Sequence, residues 1–181
     1  MKYVLLFVFV VLITETFAQQ DSTASVPEKS QWSLASVRDG ELVILAFVSG
    51  NCPFDTYYSS RLKKLIETQQ HIRFIGVNSN SDEMSNSGLN SAIGAASGLK
   101  TIIFDANAEL AGQFDVKKST HMIFLTKNLG KVKVLYSGPI DNNPQNEKAA
   151  DQFYLLDAIS LYAQGKMPVQ KTTGVMGCVI R

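Results

Sequence analysis

The chain alternates short, fully apolar runs with amphipathic stretches. Two runs, Leu42–Val48 and Ile72–Val77, are apolar on both faces, which predicts central strands of a sheet that is covered on both sides. Between them, apolar residues recur at helical spacing after Cys52, which predicts a helix that ends near Gln69. Further strands are predicted at Ser33–Val37, Thr101–Phe104, His121–Leu125 and Val132–Ser137, and further helices at 82–97, Ala106–Phe114 and Glu147–Gln164.

This order of elements is β-β-α-β-α-β-α-β-β-α, and it predicts an α/β fold. Alternation of strands and helices is typical of a mixed central β-sheet with helices on both faces. The turn at 127–130 joins the last two strands as a hairpin, so we expect an antiparallel edge on a largely parallel sheet. The helix at 82–97 contains several Gly and Ser residues and is predicted to be broken. We see no internal repeat and no second domain.

The N-terminal segment has the pattern of an export signal. Residues 1–18 combine Lys2, an apolar run over Tyr3–Ile13 and a small residue at Ala18, which predicts a cleaved signal peptide; an uncleaved membrane anchor is the alternative. Residues 19–30 are polar and predict a disordered leader. The domain is then expected at 31–165, with a tail at 166–181. We therefore expect an exported protein, periplasmic or extracellular, that is not held at a membrane after cleavage.

Charge and cysteine content narrow the possible functions. The chain has 181 residues and a formal net charge of +1, so nothing in its charge favours a nucleic acid as partner. It has two cysteines, Cys52 and Cys178, both in the exported part. An oxidising compartment allows them to pair, but two cysteines so far apart are not a disulfide scaffold.

Cys52 stands at the junction between a predicted strand and a predicted helix. Pro53 follows it directly, as is common at the first position of a helix. Unpaired N–H groups and the helix dipole stabilise a thiolate at such a position and lower its pKa. The alternative is a buried and inert cysteine.

Several motifs resemble the peroxiredoxin-like redoxin branch of the thioredoxin superfamily. They are Asn51-Cys52-Pro53-Phe54, Tyr57-Tyr58, Arg61-Leu62, Ile75–Asn80, Phe104-Asp105, Tyr136–Asn142 and Gly177–Arg181. The resemblance implies a thioredoxin-like fold and a thiol oxidoreductase without a cofactor. It implies that Cys52 is the reactive thiol and that Cys178 resolves the intermediate, with Ser49 as the hydroxyl residue beside them. The implied partners are a thiol or disulfide protein or a small peroxide, and a thiol protein as electron donor.

The chain also departs from that family pattern at two positions near the thiol. Asp55 stands where a dithiol thioredoxin has its second cysteine. Its carboxylate would raise the pKa of the thiol or accept a proton, or it is only an acid at a helix N-terminus. His121 replaces the family's cis-proline, so we expect a trans Thr120–His121 bond or local strain. The arginine and the upstream proline of peroxiredoxins have no counterpart.

His121 is open to three interpretations. It fills space, it activates the thiol, or it joins Cys52, Cys178 and Asp55 in a zinc or copper site. The last interpretation belongs to an alternative function, a redox-inactive or metal-binding thioredoxin-like module. A purely structural Cys52–Cys178 clamp is a third hypothesis. Asp82 and Glu83 are predicted to lie on a solvated face.

Overall fold

The computed structural model describes residues 32–83, 86–168 and 174–181. The predicted signal peptide and the whole of the leader lie outside these residues, so both stay predictions. Within the described part of the chain, every helix is too short or too polar to cross a membrane.

Five strands form one mixed sheet in the order β3-β2-β1-β4-β5. The first strand, β1, lies in the centre of the sheet, parallel to β2 on one side and antiparallel to β4 on the other. β3 continues the parallel half, and β5 pairs antiparallel with β4 as a hairpin. The strands are β1 (Leu42–Phe47), β2 (Arg73–Asn78), β3 (Ile102–Phe104), β4 (Met122–Asn128) and β5 (Lys131–Gly138).

In the described part of the chain, the sheet is covered by the helices α1 (Pro53–Thr68), α2 (Ser87–Ser97), α3 (Glu109–Gln113) and α4 (Tyr154–Ala163). Side chains alternate along β1, so Ile44 and Ala46 pack in a cluster with α1, α2 and α4, whereas Leu45 and Phe47 pack in a second cluster with α3. The sheet is thus buried on both faces, which confirms the predicted α/β fold with a mixed sheet.

Two predicted elements are wrong. Ser33–Val37 is not a strand: a 3₁₀ turn at Leu34–Ser36 forms instead, because the Val37 N–H bonds locally to the Leu34 carbonyl. The last helix begins at Tyr154 rather than Glu147. Asn142 accepts from the N–H groups of Asp151 and Gln152 and so holds the preceding segment in a loop. The predicted break in the second helix is confirmed by a 3₁₀ turn at Ser81–Glu83 that precedes α2.

Candidate functional site

A disulfide joins the two cysteines of the chain. Cys52 lies between β1 and α1, and Cys178 lies near the C-terminus; their sequence separation is 126, and their Cα atoms lie 5.8 Å apart. Cys52 is 2% exposed, and Cys178 is partly exposed. The structure therefore brings together the two residues that the sequence assigned to thiol chemistry.

Cys52 is the N-cap residue of α1, directly before Pro53. The Cys52 side chain makes no capping hydrogen bond, and the Cys52 carbonyl accepts from the Asp55 N–H at 3.0 Å. The sulfur thus belongs to the residue at the positive end of the helix dipole. A thiolate formed here by reduction is stabilised by that dipole.

The loop between β1 and Cys52 is wrapped around the carboxylate of Glu83. This carboxylate accepts from the Ser49 hydroxyl, and from the N–H groups of Gly50 at 2.7 Å and Asn51 at 3.3 Å. The Asn78 side-chain amide donates a fourth hydrogen bond at 2.9 Å. Burial raises the pKa of Glu83, but these hydrogen bonds outweigh it and the net pKa is lowered. Glu83 therefore holds the loop as a carboxylate, and the prediction that it lies on a solvated face is wrong, since it is 3% exposed.

Asp55 lies half-buried in the first turn of α1. Its carboxylate accepts from the Ser49 N–H at 3.1 Å. Burial raises the pKa of Asp55 to about 7, opposed by hydrogen bonds from the Ser119 side chain and the Ser49 backbone and reinforced by the charge of Glu83. The residue in the second-thiol position is thus a carboxyl group that gains and loses a proton near neutral pH.

The C-terminal tail is held against the segment that precedes β4. The Ser119 N–H donates to the Cys178 carbonyl at 2.8 Å, and the Cys178 N–H donates to the Ser119 hydroxyl at 3.2 Å. Further along, the Ile180 N–H donates to the Lys117 carbonyl at 3.0 Å, and the Thr120 hydroxyl donates to the Met176 carbonyl at 2.6 Å. The tail is therefore positioned by hydrogen bonds as well as by the disulfide.

Gly177 permits the closest approach of the tail to that segment. A Cβ atom added at Gly177 would lie 2.1 Å from the Ser119 carbonyl oxygen. No side chain fits in this space without displacing the backbone. Gly174, by contrast, has nothing within 4 Å of such a Cβ atom.

His121 pairs its backbone with Phe47, whose N–H donates to the His121 carbonyl at 2.9 Å. Its ring Nε2 lies 2.8 Å from the Ser137 hydroxyl on β5. Burial lowers the pKa of His121 to about 4, opposed by the Asp115 carboxylate, so the ring is neutral at pH 7. Thiol activation by this ring stays a prediction.

The expected Thr120–His121 geometry is found. The bond is trans, and Thr120 adopts a φ of +64°, a left-handed conformation that is unfavourable for a β-branched residue. The expected strain is thus located at Thr120, which is fully buried. Its N–H donates a hydrogen bond to the Phe47 carbonyl, and its hydroxyl donates one to the Met176 carbonyl of the tail.

The proposed metal ligands do not form a cluster. Among residues 32–83, 86–168 and 174–181, no group of three or more His, Cys, Asp or Glu side chains is arranged to hold a metal ion. The two sulfurs are bonded to each other, and the His121 ring contacts Ser137. The alternative of a four-ligand site thus receives no support from the geometry.

α1 is fixed to the loop after β5 by a buried ion pair. Arg61 Nη1 lies 2.6 Å from Asp141 Oδ2, and the side chains are 6% and 0% exposed. The same guanidinium donates to the carbonyls of Asn143 and Pro144 and lies over the Tyr58 ring at 4.5 Å. Arg61 therefore positions the helix that begins at Cys52.

Sequence reasoning missed Glu83 and Ser119 as parts of this site. A signal for Glu83 was available, because it follows β2, and the carboxyl ends of parallel strands meet at one edge of a sheet. A carboxylate after β2 is thus a neighbour of the loop after β1. Ser119 has no comparable signal, since its contact is made with a tail about 60 residues later in the chain.

Comparisons with known proteins support the fold. No protein-family model matches the chain, and no curated protein matches it. Among solved structures, an uncharacterized conserved protein from Geobacillus kaustophilus has a TM-score of 0.67 at 19% identity, over 82% of this chain and 80% of that one. A hypothetical protein from Sinorhizobium meliloti 1021 has a TM-score of 0.63 at 22% identity, over 78% and 80%.

A thioredoxin-like protein from Aeropyrum pernix is also similar, with a TM-score of 0.49 at 20% identity, over 70% and 80% of the two chains. The strand order, the antiparallel hairpin at one end of the sheet and the cysteine at the start of α1 agree with the fold that the sequence resemblance implied. The chain has the thioredoxin-like fold.

Proposed function

We propose that this protein is an exported thiol–disulfide oxidoreductase that cycles between the Cys52–Cys178 disulfide and the dithiol. The observation that carries the proposal is the disulfide itself, which has one sulfur at the N-terminus of α1 and the other on a partly exposed tail. A structural disulfide has no need of a helix N-terminus, whereas a reactive cysteine is made more acidic there.

The exchange is a two-electron reaction. A substrate dithiol gives two electrons and two protons to the protein, the bond between Cys52 and Cys178 breaks, and a disulfide forms in the substrate. A second disulfide compound then reoxidises the protein by the reverse steps. The partners of the site are therefore thiol and disulfide proteins.

Asp55 supplies a proton acceptor at the start of α1. Because its pKa is raised to about 7, the carboxyl group is a mixture of its two forms at neutral pH. We propose that it takes up a proton as the thiols become a disulfide and returns one on reduction. Ser49 supports this role, since its N–H donates to Asp55 while its hydroxyl is bonded to Glu83.

Export is part of the proposal. The pattern of residues 1–18 supports it, and a disulfide persists in oxidising compartments outside the cytosol. The expected substrates are then thiol proteins of the same compartment. The size of the full chain before and after secretion, measured by mass spectrometry, tests cleavage after Ala18.

A redox titration separates this function from a structural clamp. The oxidised fraction of the full chain is measured in glutathione buffers of known potential, by alkylation and mass. An exchanging disulfide is expected at about −120 to −270 mV, the range of oxidoreductases, whereas structural disulfides lie below about −300 mV. Catalysed reduction of a disulfide protein by dithiothreitol, lost in Cys52→Ser, completes the test. A potential below −300 mV together with no catalysis would favour the clamp.

Peroxide reduction stays a prediction of the family resemblance. The Ser49 hydroxyl donates to the buried Glu83 and is thus engaged in the described structure. Thiol–disulfide exchange is therefore the better supported chemistry. Intact mass after peroxide treatment of the reduced protein decides: a loss of two hydrogen atoms that needs both cysteines supports peroxide as an oxidant, and an unchanged mass excludes it.

A further inference from the structure

We infer that the substrate thiol attacks the sulfur of Cys178, and that Cys52 is the leaving group. This rests on the proposed function and reverses the roles that the sequence resemblance implied for the two cysteines. The tail then carries the covalent intermediate, and the helix receives the displaced thiolate.

Access to the two sulfurs differs. Thiolate attack on a disulfide depends on which sulfur can be reached. Cys52 is 2% exposed. Cys178 is partly exposed, and its neighbours in the tail, Met176 and Val179, are 51% and 60% exposed. An incoming thiol therefore meets the tail side of the disulfide first.

The quality of the leaving group gives the same answer independently. In exchange, the sulfur with the lower thiol pKa leaves faster. Cys52 leaves at the N-terminus of α1, where the helix dipole stabilises its charge. Attack on Cys52 would instead expel Cys178, which lies in a segment without helix and so gains no such stabilisation.

Asp55 does not reverse this preference. Its carboxylate would oppose a charge on Cys52, but burial raises its pKa to about 7, so the carboxyl group is mostly protonated below neutral pH. Glu83, the other acid near the loop, is a carboxylate that accepts from four hydrogen-bond donors, whose dipoles partly offset its charge. Repulsion of the leaving thiolate by Asp55 is thus small below neutral pH.

The steps balance as follows. The substrate thiol loses its proton to solvent, and its sulfur forms a bond to Cys178 while the Cys178–Cys52 bond breaks. The electron pair leaves on Cys52, which takes up one proton. A second substrate thiolate attacks the substrate's own sulfur in the mixed disulfide and expels Cys178, which is protonated in turn. The products are a substrate disulfide and the dithiol protein.

The tail stays in place during the first step. Its hydrogen bonds to Lys117, Ser119 and Thr120 do not involve either sulfur. The mixed disulfide is therefore held where the Cys52 thiol can attack it and release the substrate again. Cys52 thus acts as the resolving cysteine for a substrate that has only one thiol.

The experiment traps the first intermediate of the full-length oxidised protein. Reduced glutathione, at less than one equivalent, is mixed with the protein and quenched in acid at a series of short times, and free thiols are then alkylated. Peptide mass spectrometry locates the glutathione and the alkyl group. The ratio of the two isomers is extrapolated to zero time, because Cys52 can later attack the glutathione sulfur.

The expected result is glutathione on Cys178 and the alkyl group on Cys52, in excess over the reverse isomer by about tenfold or more. Glutathione predominantly on Cys52 at zero time overturns this inference but leaves the proposed exchange standing. No adduct on either cysteine overturns the inference, and together with no catalysed reduction of a disulfide protein by dithiothreitol it overturns the proposed function as well. Equal amounts of the two isomers also overturn the inference, since the structure then gives neither sulfur an advantage.

Discussion

Replacing Glu83 by glutamine tests how the loop before Cys52 is held. The side chain keeps its length and shape, but one carboxylate oxygen becomes an NH2 group. Oε1 accepts from the Ser49 hydroxyl and the Asn51 N–H, and Oε2 accepts from the Gly50 N–H and the Asn78 amide. In either orientation of the amide, its NH2 group therefore replaces an oxygen that accepts two hydrogen bonds and faces the two groups that donated them.

The expected loss follows from these contacts. The less costly orientation puts NH2 at the Oε1 position, because the Ser49 hydroxyl can rotate and accept from it, whereas the Asn51 N–H loses its acceptor. A hydrogen bond to a charged group contributes about 1.5–3 kcal/mol, and one to a neutral group about 1 kcal/mol. One bond lost and the others weakened give a decrease in the free energy of unfolding of about 2–4 kcal/mol.

Urea unfolding of the oxidised protein measures this difference. Asp82→Asn is the matched control, since Asp82 is the preceding acid and is exposed; its effect is expected to stay within about 0.5 kcal/mol. The folded pKa of Glu83 is lowered, so its contribution is fully present above the unfolded pKa and is lost as the pH falls through the folded one. The two proteins are thus expected to converge in stability under acid conditions.

A small effect would refute the reasoning. If Glu83→Gln lowers stability by less than about 1 kcal/mol at pH 7, or no more than Asp82→Asn, the carboxylate does not hold the loop. A large effect that persists unchanged at low pH also contradicts it, because the protonated wild-type carboxyl group should resemble the amide.

Three further predictions concern the surroundings of the disulfide. The wild-type protein should lose stability as the pH rises from about 4 to 7, because the raised pKa of Asp55 makes the folded state bind more protons than the unfolded state in that range. Asp55→Asn should remove this loss. Parallel curves of stability against pH for the two proteins, measured by urea titration, would contradict the prediction. Gly177→Ala should shift the glutathione ratio at half-oxidation by about tenfold or more toward oxidising conditions, because the added Cβ displaces the tail; Gly174→Ala, with open space around it, is the control, and equal shifts would count against the contact. Asp141→Asn should lower the free energy of unfolding by about 3–5 kcal/mol, because it leaves the Arg61 charge buried without its partner, and a loss below about 1 kcal/mol would show that the pair is dispensable.

The sequence predicts the sheet and most of the helices, because hydrophobic burial leaves a periodic pattern. β1 and β2 are recognisable as central strands since both their faces are apolar. The strand predicted before β1 is wrong because Val37 is buried although it follows a 3₁₀ turn, and a buried residue beside a turn has the same apolar character in the sequence as a buried residue in a strand. The start of α4 fails because Asn142 competes for backbone N–H groups, a contact that no local periodicity records.

The site is less predictable than the fold because its parts are joined by contacts distant in sequence. Cys52 and Asp55 are visible, since a helix N-terminus has local signals such as Pro53. Glu83 looks like a surface acid until the parallel pairing of β1 with β2 turns it toward the loop before Cys52.

The roles of the two sulfurs depend on differences in exposure that composition and spacing do not encode. From the sequence, Cys52 is the natural choice for the sulfur that the substrate attacks, because it lies in the stronger motif. The structure separates two properties that this choice combines: Cys52 lies at a helix N-terminus, where the dipole favours a departing thiolate, yet it is the more buried of the two cysteines. Departure and access therefore favour different cysteines, and in the proposed exchange the tail receives the substrate while the helix receives the charge.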